Sequence, residues 1–372
     1  MKILLISMTV GEGHNSIAKS ISASLTTKNI ENKTIQLYGY STKEVSKQNK
    51  LFLFACKFIP HIYQHFWNKI RKRNINKNSH EINKVVKRCS NFVLNNINDY
   101  NPDVIICTHN YASAVVDNLK VNNLISSNIK TFSVVFDYCL CPYWEFSRNI
   151  DYIVTPHEVV HQELKNRGIS EDKMLPFGLP VNDKFTKQMD KQQALIQLNL
   201  NPNLFTVALY SGGNCISKVS TIIKHLTKVG CPIQIIAICG KNQKEFNRVD
   251  KLIKKYKLNN VLNLGFCNCL DVVFSASDIV ISRAGGMGLT EQINKHTPFV
   301  LREKLIINEK INKQMFTKLG LGLSINKSKD IVKIIDYLYD NPTVIEQMKQ
   351  KCKEFCKPNS VENFVNFVLS EK

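Results

Sequence analysis

Two short loops in this 372-residue chain place reactive side chains next to glycines. The first, Thr9-Val10-Gly11-Glu12-Gly13-His14-Asn15, lies between an apolar run and a stretch of helical period. Gly11 and Gly13 let the backbone approach a ligand, and a helix N-terminus offers free N–H groups to an anion or polar substrate. His14 stands at that mouth. A neutral imidazole, with an ordinary pKa of about 6.5, is suited to take a proton from an alcohol nucleophile. A histidine that merely hydrogen-bonds its own loop is the competing reading, and residue types leave both open. The loop is no dinucleotide fingerprint. Its third glycine position is Ser16, and the following KTIQLYGY segment ends without an acid for a ribose.

The second loop falls in SDIVISRAGGMGLTE, residues 277–291. Gly285 and Gly286 would bring bare amides up to a ligand, which suits a diphosphate. The pattern predicts a helix from about Leu289, with Glu291 in its first turn. Glu291 could accept hydrogen bonds from a ribose diol, or simply complement the helix dipole. A third string, His157-Glu158-Val159-Val160-His161, matches the HExxH of zinc proteases, and a helix there would put both histidines on one face. Leu164 and Arg167 break the known continuation, and no Glu lies between Glu171 and Glu245 to complete the site. A zinc protease is therefore not expected. The pairs Cys139/Cys141, Cys267/Cys269 and Cys352/Cys356 lack matched CxxC knuckles, so structural zinc is not expected either.

These loops need strands before them and helices after them, and the chain supplies both twice. Residues 2–6, 34–37, 103–107, 131–136 and 152–154 read as strands, with a helix over 16–25. Pro176, Gly178 and Pro180 then punctuate the chain, and a linker is expected at 182–193 or just after. FTVALY, PIQIIAIC, NVLNLG, SDIVIS and TPFVL read as five further strands, with basic amphipathic helices over 219–229 and 244–256. A last helix face runs through 361–369. The expected organisation is α/β, with two Rossmann-like domains facing across a cleft: 1–190, 195–355, and a terminal helix at 358–372 that crosses back to the first. In such sheets ligands bind at the carboxyl ends of the strands.

Fifty Lys+Arg against thirty Asp+Glu give a net charge of +20, which favours anionic partners. Lysines spread over all the helices, without an aromatic-interleaved groove, argue against nucleic acid. Segment 51–77 sets Phe52, Phe58 and Trp67 beside Lys69, Arg71, Lys72 and Arg73, a pattern suited to anionic lipid headgroups; a core helix with a solvated basic turn is the alternative. Pro60 would kink or break a helix there. No window approaches 18 uninterrupted apolar residues, MKILLIS is too short for a signal sequence, and twelve cysteines read as reduced cytosolic thiols.

At this point a resemblance is legible. GEGHNSIAKSI resembles the GxGHxxxAxAI opening of the monogalactosyldiacylglycerol synthase and bacterial diacylglycerol glucosyltransferase family, relatives of the MurG-type transferases. Asp137-Tyr138 followed by Trp144 resembles its DFxxHxxW, and Phe177-Gly178-Leu179-Pro180-Val181 with Phe185 its GIPVxxxF. Cys239-Gly240-Lys241-Asn242 matches its CGKN, Leu264-Gly265-Phe266 its short GF strand end, and 277–291 its SDxxITKxGGxTxxE loop. Asn308-Glu309 with Asn312 resembles the QExxN beyond it.

The resemblance implies a GT-B fold, with acceptor on the N-terminal domain and UDP-sugar on the C-terminal one. It implies inverting transfer of glucose or galactose from UDP-glucose or UDP-galactose to diacylglycerol, giving a β-glycolipid. No cofactor and no catalytic metal are expected, and the enzyme would sit peripherally on the cytoplasmic side of an anionic membrane. Another lipid or polyprenyl acceptor, or a degenerate sugar-binding module at the membrane, are the alternatives. His14 is implied as the base, with Asp137 as runner-up or orienting partner and Gly11, Gly13, Tyr138 and Trp144 around the acceptor. Gly212, Gly213, Lys241, Asn242, Phe266, Gly285, Gly286 and Glu291 would hold the donor, with Glu309, Asn312 and Asn308 at the sugar. The chain departs from the pattern at Phe136 (family Thr), Cys141 (family His) and Gly288 (family Thr), and SGGN at 211–214 lacks a later glycine.

Overall fold

A computed structural model describes residues 1–9, 13–38, 60–71, 75, 79–213, 215, 218–302 and 307–371. The chain forms two compact units, Met1–Asp183 with Lys357–Lys372, and Lys184–Cys356. Each is built on its own parallel sheet.

In the first unit the strands are β1 (Lys2–Ser7), β2 (Glu31–Gln36), β3 (Val104–Cys107), β4 (Lys130–Val134), β5 (Tyr152–Val154) and β6 (Met174–Leu175), in the order β2-β1-β3-β4-β5-β6. Strands covered on both faces read as unbroken apolar runs, and every residue of β1 after Lys2 is buried. β2 differs from its expected span, beginning at Glu31 rather than Thr34. It is an edge strand, held by in-register pairing with β1 from Lys2↔Glu31 to Ser7↔Gln36, so its polar start carries no hydrophobic signal. Helix Gly13–Thr27 buries Ile17, Ala18, Ile21 and Leu25 along one stripe. Pro60 is the first residue of helix Pro60–Arg71, a position where its missing N–H costs nothing, and residues 51–59 before it lie outside the described residues.

The tail returns to this unit as helix Ser360–Ser370. Phe364 packs edge-on to Phe132 of β4 at 5.7 Å, and Phe367 meets Tyr152 at 5.0 Å. Ser360 Oγ donates to the Leu179 carbonyl at 2.7 Å, and Tyr152 Oη donates to Glu371 at 2.6 Å. Gly178 has φ +93°, and a Cβ there would stand 2.6 Å from Lys357 Cβ. A glycine is thus required where the returning chain crosses.

The second unit carries six strands rather than five: β7 (Phe205–Leu209), β8 (Ile233–Ile238), β9 (Val261–Leu264), β10 (Ile279–Ser282), β11 (Phe299–Leu301) and β12 (Gly322–Ser324), ordered β12-β11-β10-β7-β8-β9. β12 is three residues and opens with a glycine, too short for a periodic signal. Gly322 is needed because a Cβ would lie 2.3 Å from the Phe299 carbonyl across the β11–β12 pair. Both sheets reverse direction beside their first strand, between β1 and β3 and between β7 and β10. Those switch points open crevices at the carboxyl ends of the strands.

Candidate active site

At the first switch point, His14 is the second residue of helix Gly13–Thr27, and Thr108 directly follows β3. His14 Nδ1 lies 2.5 Å from the Thr108 carbonyl oxygen, 94 residues away in sequence. A carbonyl only accepts, so Nδ1 carries the proton and Nε2 keeps its lone pair. Loss of solvent lowers the His14 pKa to about 4, against the opposing pull of the Thr108 carbonyl. The ring sits between His109, 4.5 Å away, and Phe136, 4.3 Å away. His109 caps the next helix, its Nδ1 accepting the Tyr111 N–H at 3.0 Å.

Residues on either side of the loop before His14 are tied to the edge strand by side chains. Asn15 Oδ1 accepts from Ser7 at 2.8 Å and from Gln36 at 3.0 Å, and Asn15 Nδ2 donates to Thr9 at 3.0 Å. Gly13 is where Phe136 presses in, since a Cβ would fall 2.2 Å from its ring. Phe136 thereby occupies the space made by the loop glycine. Gly11 lies outside the described residues.

His14, Asn110, Val134, Val135, Phe136, Asp137, Cys139, Cys141 and Trp144 line one small pocket. The loop after β4 is held in place by Asn110, whose Nδ2 donates to the Pro142 carbonyl at 2.8 Å. Asp137 is buried and its Oδ1 accepts the Tyr138 N–H at 2.8 Å. Burial, then the Asp137 charge, pushes the Cys141 thiol up to about 12, so it stays a neutral thiol. Sequence reading found His14, Asp137 and Trp144 but missed His109 and Asn110, which declare themselves only through the β1–β3 adjacency.

At the second switch point, the loops after β7, β8 and β10 converge. Gly212 has φ +74° and Gly240 φ +51°. The Lys241 N–H donates to the Gly213 carbonyl at 2.8 Å, and a Cβ on Gly240 would lie 2.2 Å from that same oxygen. Asn242 caps helix Gln243–Tyr256, accepting the Glu245 N–H at 3.1 Å, while its Nδ2 donates to the Cys215 carbonyl at 3.0 Å. Phe266 is 61% exposed, with Lys241 Nζ 5.7 Å from its ring.

The helix after β10 starts at Gly286 rather than near Leu289, with Gly285 as its N-cap and no side-chain cap. Glu291 therefore lies in the second turn, beyond the reach of a first-turn dipole effect. It is buried, its pKa is raised to about 8 by loss of solvent, and its carboxyl has no hydrogen-bond partner among the described residues. At Gly288 a Cβ would come within 2.9 Å of the Tyr210 ring, so the bulk of Tyr210 replaces the side chain that the resembled motif carries. Glu309 is engaged by Arg283, with Nη2–Oε1 at 2.6 Å and Nε–Oε2 at 3.3 Å. Asn312 is buried and donates to the Ala284 carbonyl at 2.9 Å, while Asn308 is half-buried. Arg283, like His109, was missed by sequence reading.

The HExxH string does not form one helix. His157 caps a short 3-10 turn, Glu158–Val160, and helix His161–Lys165 begins after it. His157 lies 3.2 Å from Glu158, His161 Nε2 is 2.9 Å from Thr155 Oγ1, and Glu158 pairs with Lys357 at 2.7 Å. Among the described residues no group of three His, Cys, Asp or Glu could hold a metal. Of the expected membrane face, Phe52, Phe58, Lys72 and Arg73 lie outside the described residues. Lys69 is exposed, but Trp67 is not presented outward: it is 7% exposed, with the Arg71 guanidinium 5.4 Å from its ring. Arg71 in turn pairs with Glu163 at 2.6 Å, so both side chains serve packing of their helix on the first unit. No helix among the described residues is long and apolar enough to cross a membrane.

The model of the monogalactosyldiacylglycerol (MGDG) synthase family matches residues 14–181, and that of the glycosyltransferase family 28 C-terminal domain matches 213–364. The chain is 24% identical over 372 residues to a processive diacylglycerol beta-glucosyltransferase of Bacillus pumilus, covering 100% of this chain and 95% of that one. In fold it is similar to Acinetobacter baumannii MurG, with TM-score 0.68, 12% identity and 99% of each chain covered. It is also similar to a Neisseria meningitidis UDP-GlcNAc 2-epimerase bound to UDP-GlcNAc, with TM-score 0.61, 14% identity and 100% of each chain covered. The chain shares the GT-B fold of these structures, built on two parallel sheets. Matched by the two family models in succession, the chain is a glycosyltransferase, similar to the MGDG synthase family over residues 14–181 and to the family 28 C-terminal domain over 213–364.

Proposed function

We propose that this enzyme transfers a hexose, glucose or galactose, from a UDP-sugar to diacylglycerol with inversion, making a β-glycolipid at a membrane surface. The observation that carries the reading is the His14 geometry: a neutral imidazole whose Nδ1–H donates to the Thr108 carbonyl, with Nε2 unprotonated beside a pocket. In the proposed step the acceptor hydroxyl gives its proton to Nε2 while its oxygen attacks the anomeric carbon opposite the diphosphate. The bond from that carbon to the phosphate oxygen breaks, and its electron pair leaves with UDP. Asp137, in the same pocket, orients the acceptor or supports His14. Val134, Val135, Phe136 and Trp144 give the pocket the apolar lining that a glycerol backbone with acyl chains needs.

On the donor side, Gly285 and Gly286 offer amides to the diphosphate, and the unpartnered Glu291 suits a ribose diol. The open space around Gly212 and Gly213, with Lys241, Asn242 and Phe266 beside it, completes the proposed nucleotide contacts. Glu309 would meet the sugar with Arg283 steering its carboxylate, and Asn312 and Asn308 stand on the same helix. Amides and guanidinium groups neutralise the diphosphate in this scheme, without a catalytic metal. The relatives named for diacylglycerol support that acceptor; a lipid that stays in its bilayer places a protein of +20 charge on anionic headgroups.

The test is transfer from radiolabelled UDP-glucose and UDP-galactose to diacylglycerol in anionic vesicles, wild type beside His14→Ala. Transfer by the wild type and a loss of at least about a hundredfold in the variant are expected. No transfer from either donor would overturn the function, and undiminished transfer in the variant would remove His14 as the base.

A further inference from the structure

The donor-side crevice contains a guanidinium with a buried N–H that no described residue accepts. Arg302 follows β11, and its backbone N–H donates to the Ser282 carbonyl at 3.1 Å, so it stands at the carboxyl end of the sheet beside β10. The residue is half-buried, and its Nε is fully buried with no hydrogen-bond partner among the described residues. The groups whose charges reach it are Cys215 in the loop after β7, Arg283 after β10, and Glu245 on the helix after β8. Two carboxylates of this region, Glu245 and Glu309, are already engaged. Glu245 accepts from Ser220 N at 2.8 Å, Ser220 Oγ at 2.7 Å and Arg248 at 3.1 Å, and Glu309 is held by Arg283 at 2.6 Å.

A buried N–H without an acceptor is destabilising, and so is a second guanidinium close to Arg283. Such an arrangement is relieved by a ligand that brings oxygens and negative charge. A phosphate group does both, because its oxygens match the guanidinium fork. Gly285, an N-cap with no side-chain cap, opens the neighbouring helix Gly286–Asn294 in the loop that holds Arg283.

We propose that Arg302 is the cationic contact of the donor's diphosphate and carries the charge that grows on departing UDP. It rests on the nucleotide-sugar reading above. As the bond between the anomeric carbon and the phosphate oxygen breaks, the electron pair moves to that oxygen, against the Arg302 guanidinium. The acceptor's proton goes to His14. Backbone amides alone would stabilise the same charge less, since hydrogen bonds from an ionised donor are stronger.

Calorimetric titration of wild type, Arg302→Gln and Arg302→Lys with uridine and with UDP separates the possibilities. Arg302→Gln is expected to weaken UDP by at least about tenfold and to leave uridine, which has no phosphate, unchanged. Arg302→Lys keeps the charge without the fork and is expected to weaken UDP by a smaller factor. An unchanged ratio of UDP to uridine affinity overturns the assignment, whether both ligands weaken together or neither does. If Arg302→Gln fails to fold, the ratio in Arg302→Lys decides in the same way. Wild type binding uridine and UDP equally tightly would overturn Arg302 alone; wild type binding neither would overturn the donor reading itself.

Discussion

At His14 the loss of solvent outweighs the Thr108 carbonyl, and the imidazole is neutral down to about pH 4. A base must be unprotonated to act, so the sign is clear: protons remove activity only below that value. An acceptor lying over His14 removes further solvent and keeps the pKa low. With donor and acceptor saturating, kcat is expected to stay level from about pH 7 down to about pH 5, where an ordinary histidine of pKa about 6.5 would be mostly protonated. A pH–rate profile whose acidic limb centres near the ordinary value would contradict this. Glu291 presents the opposite case. With a pKa of about 8 it is largely protonated near neutrality, and two ribose hydroxyls donating to it would favour the ionised form. Uridine affinity is therefore expected to rise from about pH 6 to about pH 8.5, with a proton released on binding. Titration in buffers of different ionisation heat measures that proton, and the effect should vanish in Glu291→Gln.

Among the elements, the terminal helix shows how a short segment can matter to a unit far from it in sequence. Val361, Phe364, Val365 and Val368 are all buried, and Phe364 is fully so against β4. Phe364→Ala is expected to destabilise the first unit by about 3–5 kcal/mol. Calorimetry should then show a lower first-unit transition, by roughly 10 °C, with the second-unit transition in place. A first-unit transition that does not move would mean that the tail is dispensable. The helix face itself is legible as apolar residues at 361, 364, 365 and 368, but its partner is not. Helix Gly13–Thr27 was legible for the same reason, through its buried apolar stripe of Ile17, Ala18, Ile21 and Leu25. β6 and β12 were not, because one has two residues and the other, Gly-Leu-Ser, has no apolar run, and their pairing is enforced by neighbouring strands.

In the whole molecule, the amino-acid order alone determined two α/β halves, each with a glycine loop between strand and helix. It put a histidine and a glutamate beside those loops as candidates, since glycine freedom and helix initiation follow local rules, while their roles as base and ribose acid came from the family resemblance. The +20 charge and its preference for anionic surfaces are likewise additive properties of composition. Tertiary structure decided the rest. The Thr108 carbonyl fixes the His14 tautomer across 94 residues because β3 lies beside β1. Tyr210 fills the space left by Gly288, Arg283 claims Glu309, and Arg302 is left with a buried, unanswered N–H. The tail closes on Gly178, and Trp67 and Arg71 turn out to serve packing where a lipid face was expected. The physical reason is one of range. Period, capping and glycine freedom act over about four residues of chain, whereas proton position, burial and charge balance depend on which strand ends the sheet order brings together.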